Sequence, residues 1–301
     1  MKPRLLFLLL LAVAVVSAPA QLLWKISGNG LTKPSYVVGT YHLAPASFAD
    51  SIPGLNDALA ASEQVFGELD MRNLESTEVV AKITQAMMLP KGMTIDSLLT
   101  AEQMDRLNAF MRPLMGVDMT HPMVAEQMKR FTPSALTTEF TVLMAMKRNP
   151  GLDIQNLLDA VFQKKAADSN KPIGGLESID LQIKVLYGSK TLERQVEELM
   201  CLVDHAEFYT QVTELLADAF YSQNLKAIQE AADHKLHSSC DARPEEEEAL
   251  IYGRNADWVN KMPAIMQQKS TFFAVGAAHL PGEKGMIQLL QKAGYTVEAV
   301  Q

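Results

Sequence analysis

The sequence predicts an α/β fold: a mixed sheet built from strand–helix units at both ends of the chain, with a large helical insertion between them. Short apolar runs suited to strands lie near the two ends of the chain. The middle holds long segments with apolar residues at three- and four-residue spacing, as amphipathic helices require. No Pro- or Gly-rich linker separates these parts. We therefore expect one domain over 21–301, with a helical subdomain at about 75–250.

The N-terminal unit is predicted to contain three strands and a helix. Residues 22–26 and 36–38 are short apolar runs, and residues 55–62 follow residues that suit a helix cap and first turn. Residues 65–71 alternate apolar and polar side chains, as a half-buried strand does.

Helices and short strands are also predicted in the middle of the chain and at its C-terminal end. Thr100 and Gln103 form a capping box at the start of one helix. Residues 172–176 predict a short buried strand, and a strand–helix–strand unit closes the chain over 271–300. Methionine is frequent in the helical part, which favours flexible core packing over a ligand groove.

The first 20 residues have the pattern of an export signal. Lys2 and Arg4 precede an apolar run over 5–16, and residues 18–20 read Ala-Pro-Ala, a typical cleavage site. The apolar run is shorter than the ~20 residues that span a bilayer, so we expect cleavage rather than a retained anchor or a membrane span in the mature chain. The expected location is periplasmic or extracellular.

Charge and cysteine content agree with an exported protein. Removing residues 1–20 removes two bases and no acid, so the formal charge falls from −8 to −10. This balance argues against a nucleic-acid partner, whose binding relies on basic residues. Cys201 and Cys240 predict a disulfide in an oxidising compartment, and the alternative is two buried free thiols.

One short pattern occurs twice. Residues 38–43 and 275–280 both read V-G-x-x-H-L, and each follows an apolar strand. A glycine near the strand end lets the chain turn, so that His42 and His279 are aimed over the end of the sheet, where open α/β sheets bind ligands. Two matched copies predict one shared site.

The residue types at this site suit a metal ion. Two histidines and a carboxylate can bind a divalent ion and leave positions open for water, which the ion then activates. The nearest acid in an equivalent setting is Glu68, at the end of the third predicted strand. Asp70 lies two residues further on and is expected on the same strand face.

Further segments resemble a known family, the TraB/GumN/TIKI proteins. The order of motifs is similar over essentially the whole mature chain, and both GxxH motifs match without departure. The matching segments are residues 66–71, 151–153, 175–182, 254–258 and 276–282.

The resemblance implies a metal-dependent hydrolase. TIKI-type members are described as metalloproteases that use the two GxxH motifs and the glutamate with a divalent cation. By this resemblance His42, Glu68 and His279 are metal ligands or catalytic residues, and the cofactor is Mn, Co or Zn. The wider fold is expected to be similar to that of erythromycin esterase and ChaN proteins.

The other matching residues have two interpretations each. Glu177 either faces the same crevice or caps the next helix. Arg254 either holds a substrate carboxylate or pairs with Glu68 or Glu177. Asn255 either contacts substrate or is an N-cap, and Asp153 either contacts substrate or caps the following helix.

The predicted function is hydrolysis of an amide or ester bond in a peptide or small substrate by metal-activated water. Glu177 or Glu68 would move the proton, and Arg254 would stabilise negative charge. One alternative is a non-catalytic protein that binds a peptide pheromone, or haem through His42 or Tyr41. Another is a metal-independent hydrolase with His42 as general base.

Overall fold

The structure, a computed structural model, describes residues 21–153 and 156–301; the predicted signal over 1–20 lies outside the described residues. Its architecture is the predicted mixed α/β type, with one six-stranded sheet in the order β4-β3-β5-β2-β1-β6. The strands are β1 Leu23–Gly28, β2 Ser35–Thr40, β3 Gln64–Gly67, β4 Ile173–Gly175, β5 Thr271–Gly276 and β6 Tyr295–Ala299.

Four neighbouring strands of the sheet are parallel. Strands β4, β3, β5 and β2 run in one direction, whereas β1 is antiparallel to both β2 and β6. The register aligns Thr40 with Gly276, and aligns Gly67 with both Ala274 and Gly175. The carboxyl ends of the four parallel strands therefore lie along one edge of the sheet.

Most of the chain between β3 and β5 is helical. The predicted capping box is confirmed, since Thr100 and Gln103 cap each other at the start of α4. The helices are α1 Leu55–Ala61, α2 Thr77–Ala86, α3 Ile95–Leu98, α4 Ala101–Met115, α5 Pro122–Met128, α6 Pro133–Arg148, α7 Leu158–Asp168, α8 Ile179–Ile183, α9 Leu192–Asp204, α10 Ala206–Tyr221, α11 Leu225–Ala232, α12 Pro244–Glu247, α13 Gly253–Gln268 and α14 Met286–Lys292.

The third strand is shorter than predicted. It ends at Gly67, and residues Met71–Asn73 form a 3-10 turn. The Asp70 side chain accepts a hydrogen bond from the backbone N–H of Arg72 (3.1 Å), which favours the turn over a longer strand. The prediction that Asp70 shares a strand face with Glu68 is therefore wrong.

Both faces of the sheet are covered by helices. In β5, Phe272 and Ala274 pack into one core with α1, α7, α10 and α11, and Phe273 and Val275 pack into the other with α13 and α14. This division follows from the alternation of side chains along a strand. A third core joins α4, α6 and α9 away from the sheet.

A disulfide joins Cys201 in α9 to Cys240, with 5.6 Å between their Cα atoms. This confirms the predicted pairing. The bond fastens α9 to the segment between α11 and α12. Within the described ranges, no helix is both long and apolar enough to cross a membrane.

Removing the disulfide should lower the free energy of unfolding. The bond closes a loop with a sequence separation of 39 residues, for which the chain-entropy model predicts a loss of about 3–4 kcal/mol. Urea denaturation of Cys201→Ser/Cys240→Ser against the oxidised wild type measures this loss. An unchanged denaturation midpoint would contradict it, and reduction of the wild type with dithiothreitol is the matched control.

Candidate functional site

The four parallel strands each place one functional side chain beyond the same edge of the sheet. In spatial order from β4 to β2, these side chains are Glu177, Glu68, His279 and His42. Each follows its strand by one to three residues. The sheet thus brings together residues that are up to 237 positions apart in the sequence.

Arg254 binds three of these four side chains. Its Nε and Nη2 donate to the two carboxylate oxygens of Glu177 (2.9 Å each), and Nη2 also donates to Oε2 of Glu68 (2.6 Å). Nη1 donates to the carbonyl of Leu250 (2.8 Å) and lies 3.2 Å from Nε2 of His279. Of the two interpretations of Arg254, the structure shows the one in which it pairs with the two glutamates.

A π-helical turn places Arg254 at this position. The segment Glu248–Tyr252 is wound as a π-helix and leads directly into α13. A Cβ on Gly253 would lie 2.9 Å from the carbonyl oxygen of Glu248, so this winding requires glycine. Such turns occur often at functional sites. Trp258, one helical turn after Arg254, lies against the guanidinium and donates to Glu177 (3.1 Å).

Glu68 is held between a backbone N–H and the guanidinium. Its Oε1 accepts from the N–H of Gly276 (2.8 Å) and lies 3.9 Å from Nε2 of His279. Burial opposes ionisation of Glu68, but the charge of Arg254 and the hydrogen bond from the Gly276 N–H outweigh it, so its pKa lies below the usual value. Glu68 is therefore ionised at neutral pH.

His279 is buried and oriented by Asn255. Both N–H groups of the Asn255 amide are used, because Nδ2 donates to the carbonyls of His279 (3.2 Å) and Lys284 (2.9 Å). The amide oxygen must then accept from Nδ1 of His279 (2.6 Å). Nε2 consequently carries no proton and accepts from Arg254. Burial lowers the pKa of His279 to about 4, so the ring is neutral.

The position of Asn255 differs from the cap interpretation. Asn255 lies inside α13 and is fully buried, so it is not an N-cap and its side chain faces His279 rather than open space.

His42 is exposed and is paired with Asp159. Its Nδ1 lies 2.8 Å from Oδ2 of Asp159, and Thr40 donates to the other oxygen. The His42 side chain is 74% exposed. The hydrogen bond and the charge of Asp159 raise the pKa of His42 to about 9. The charge of Glu68 raises this pKa further, and the charge of Arg254 lowers it.

Sequence reasoning missed Asp159. Backbone hydrogen bonds from Leu158 to Ala44 and from Ala46 to Asn156 (2.9 Å each) bring the start of α7 beside the chain that follows His42. The one available signal was an acid in the first turn of a helix. Such an acid commonly stabilises the helix N-terminus through the helix dipole, so the signal does not identify it as the partner of a histidine.

The structure also decides between the interpretations of Glu177 and shows where Asp70 and Asp153 lie. Ser178, not Glu177, caps α8 by accepting from the N–H of Leu181, so the capping interpretation of Glu177 is wrong. Asp70 forms an ion pair with Arg72. Asp153 lies in an exposed loop next to residues 154–155, which are outside the described part of the chain.

Gly39 and Gly276 do not have the predicted role of letting the chain turn at the strand end. Neither has a positive φ, so neither is needed for a turn. A Cβ on Gly39 would lie 2.9 Å from both Cα and Cβ of Ala277. The first V-G-x-x-H-L motif therefore uses its glycine to let the second motif approach closely, so the two motifs lie against each other.

A divalent metal ion does not fit this arrangement of side chains. Among the described residues, no group of three His, Cys, Asp or Glu side chains is placed to hold one. Arg254 already supplies positive charge at Glu68, and its Nη1 meets the unprotonated nitrogen of His279. Both histidines nevertheless have Nδ1 held by a second side chain, as metal-binding histidines have.

Comparison with known sequences identifies the family. A sequence model of the TraB/PrgY/gumN family matches residues 22–299, which is nearly all of the described chain. The protein belongs to this family.

Several curated relatives are TIKI metalloproteases. The chain is 24% identical to Metalloprotease TIKI2 of Danio rerio over 321 residues, covering 92% of this chain and 60% of the relative. It is 24% identical to the Metalloprotease TIKI homolog of Nematostella vectensis, covering 90% and 65%, and 23% identical to Metalloprotease TIKI1 of Homo sapiens, covering 92% and 61%. The chain thus spans about three fifths of these relatives' length. No solved structure matches it.

Replacing Arg254 should strongly destabilise the protein. Arg254→Met leaves Glu68 and Glu177 buried without their counter-charge, and breaking a buried pair in this way costs about 3–5 kcal/mol of the free energy of unfolding. Urea denaturation measures the loss. Lys226→Met on α11 removes only an exposed ion pair with Glu230 and should cost about 1 kcal/mol or less. Equal losses for the two variants would contradict the central role of Arg254.

Proposed function

We propose that the protein is a peptidase-like hydrolase that cleaves an amide or ester bond outside the cytoplasm. The observation that carries the proposal is the exposed His42, held by Asp159, beside the buried cluster of Arg254, Glu68 and His279 at one sheet edge. The TIKI relatives are named as metalloproteases, which supports hydrolysis as the reaction class.

His42 is the proposed proton-transfer residue. Its ring is accessible to substrate and water, and Asp159 orients it through Nδ1, as an acid orients the histidine of a catalytic triad. In its neutral form His42 accepts a proton from the attacking water, and the resulting imidazolium is stabilised by Asp159. This imidazolium then donates the proton to the leaving group.

The buried cluster is proposed to bind and polarise the substrate. Glu68 is the carboxylate nearest to open space, since its side chain is 13% exposed whereas that of Glu177 is 0% exposed. Of the two glutamates, Glu68 is therefore the one proposed to contact the substrate, and the proton is moved by His42. Arg254 holds both glutamates and His279 in place, and its charge lowers the energy of an oxyanion that forms beside it.

A divalent metal ion, Mn, Co or Zn, is the finer proposal, and it rests on the relatives' names and on the orientation of both histidines through Nδ1. The contacts of Arg254 set a condition for metal binding. Because Arg254 contacts both Glu68 and His279, a metal ion could use these two donors only after the guanidinium has released them. No step of the proposed reaction depends on the ion.

Export is proposed from two features. Residues 1–20 have the pattern of a secretory signal, and the chain contains a disulfide, which persists in oxidising compartments. The periplasm or the extracellular space is the proposed location, and a peptide or small ester or amide is the proposed substrate.

The pH dependence of hydrolysis tests the role of His42. If neutral His42 is the base, kcat/KM for a fluorogenic peptide mixture should rise with pH and level off above about 9, the pKa of His42. Asp159→Asn removes the carboxylate that favours the imidazolium, so the rise should move to lower pH, towards about 6.5, with a smaller maximum.

The matched control is Asp168→Asn at the other end of the same helix, which should keep the wild-type profile. Retention of the wild-type rate and profile by His42→Ala would remove the proposed mechanism.

Elemental analysis tests the metal proposal. If the finer proposal holds, the purified wild type contains Mn, Co or Zn, and His279→Ala contains less of it. Arg254→Met should bind the ion more tightly than the wild type, because the cation that competes for Glu68 and His279 is gone. Equal metal content in the wild type, His42→Ala and His279→Ala would rule out this site, and activity that survives chelation would agree with proton transfer by His42 without the ion.

A further inference from the structure

Two cavities lie next to each other beside the site. The larger, about 760 Å³, includes Ala278 and Pro281 on the loop that carries His279. The smaller, about 190 Å³, includes Tyr41 and Leu43. Both are lined by Tyr209 and Val212 of α10. The two cavities therefore share a wall in α10, and one reaches the His279 loop while the other reaches the His42 loop.

The smaller cavity, which we call the His42 pocket, is apolar. Two of its walls come from Tyr41 and Leu43, so the pocket adjoins the segment that carries the proposed proton-transfer group. The other walls come from α6, α9 and α10. The apolar lining residues that matter here are Tyr41, Leu43, Met144, Leu202, Val212 and Ala217.

The size of the pocket suits one large side chain. A cavity of about 150 Å³ lined by apolar residues binds benzene, so about 190 Å³ accepts a phenyl ring or a branched aliphatic chain. The charged residues at the pocket, Arg148 and Glu214, form an ion pair with each other. Their charges are thus mutually compensated, and they do not attract a charged side chain of either sign.

We propose that the His42 pocket is a specificity subsite that accepts a large apolar side chain of a peptide substrate, such as leucine, methionine or phenylalanine. The proposal rests on the proposed hydrolase function. With an apolar side chain in this pocket, the neighbouring peptide bond lies next to His42. The longer, more polar cavity along α10 is where the rest of the peptide extends. Met144 adapts its shape, so the subsite accepts several apolar side chains rather than one.

Binding is tested without any need for hydrolysis. Protein labelled with ¹³C at the methionine methyl groups is titrated with N-acetyl-phenylalaninamide, N-acetyl-leucinamide and N-acetyl-glycinamide, and the Met144 signal is assigned with Met144→Leu. The first two compounds should shift the Met144 signal, and the glycine compound should not.

Two variants of α10 control this experiment. Ala217→Phe fills the pocket and should abolish the shift. Leu215→Phe changes an exposed residue on the same helix and should keep it. Absence of a Met144 shift in the wild type, or an equal shift in Ala217→Phe, overturns the subsite. A shift caused by decanoate and not by the amides would assign the pocket to an acyl chain and also overturn the proposal.

Cleavage of a peptide mixture, read by mass spectrometry, separates the subsite from the hydrolase function. The wild type should cleave next to large apolar residues, and Ala217→Phe should lower kcat/KM for those peptides by about tenfold or more, in line with the effect of single methylene groups in apolar pockets. Peptides with glycine or alanine at that position should be affected less.

The two failures give different results. A Met144 shift without cleavage of any peptide would refute the hydrolase and leave an apolar ligand pocket. Cleavage without apolar preference would refute the subsite and leave the hydrolase.

Discussion

The charge of one buried arginine is the constraint on which the rest of the site depends. Glu177 is fully removed from solvent and Glu68 is nearly so, and two ionised carboxylates cannot remain buried together without a counter-charge. The guanidinium of Arg254 meets both. Its planar shape allows two parallel hydrogen bonds to Glu177 while the remaining N–H groups reach Glu68 and His279. A lysine cannot replace it with the same geometry.

The backbone around Arg254 is arranged to support these contacts. The π-helical turn before α13 requires Gly253, and Gly39 allows the strand ends of the two histidine motifs to approach each other. The parallel strands β4, β3, β5 and β2 then fix the order in which the functional side chains appear along the edge. The positions of Glu177, Glu68, His279 and His42 thus follow from strand register, and α13 and α7 add Arg254 and Asp159.

The two histidines are matched in sequence and opposite in chemistry. His279 lies under Trp258 and Asn255, where burial keeps it neutral, and His42 is exposed beside Asp159, which favours its protonated form. Pairs of titratable groups whose surroundings move their pKa values apart are characteristic of acid–base sites. The repeated motif therefore places two rings at one edge, and their neighbours favour opposite protonation states for the two rings.

The sequence by itself determined the class of fold, the disulfide and the paired histidine motifs. Local spacing and residue type encode strand ends, helix starts and the presence of two matched histidines. Only the tertiary structure decided that Asp159 orients His42, that Asn255 orients His279 and that Arg254 joins Glu68 to Glu177. These contacts cross 24 to 186 residues of sequence, and they arise from parallel strand pairing and helix packing, which place side chains together regardless of their separation along the chain. The short β3 shows the same limit of local sequence patterns. The alternation of apolar and polar residues after Gly67 is compatible with a strand, but in the structure Asp70 caps a 3-10 turn there.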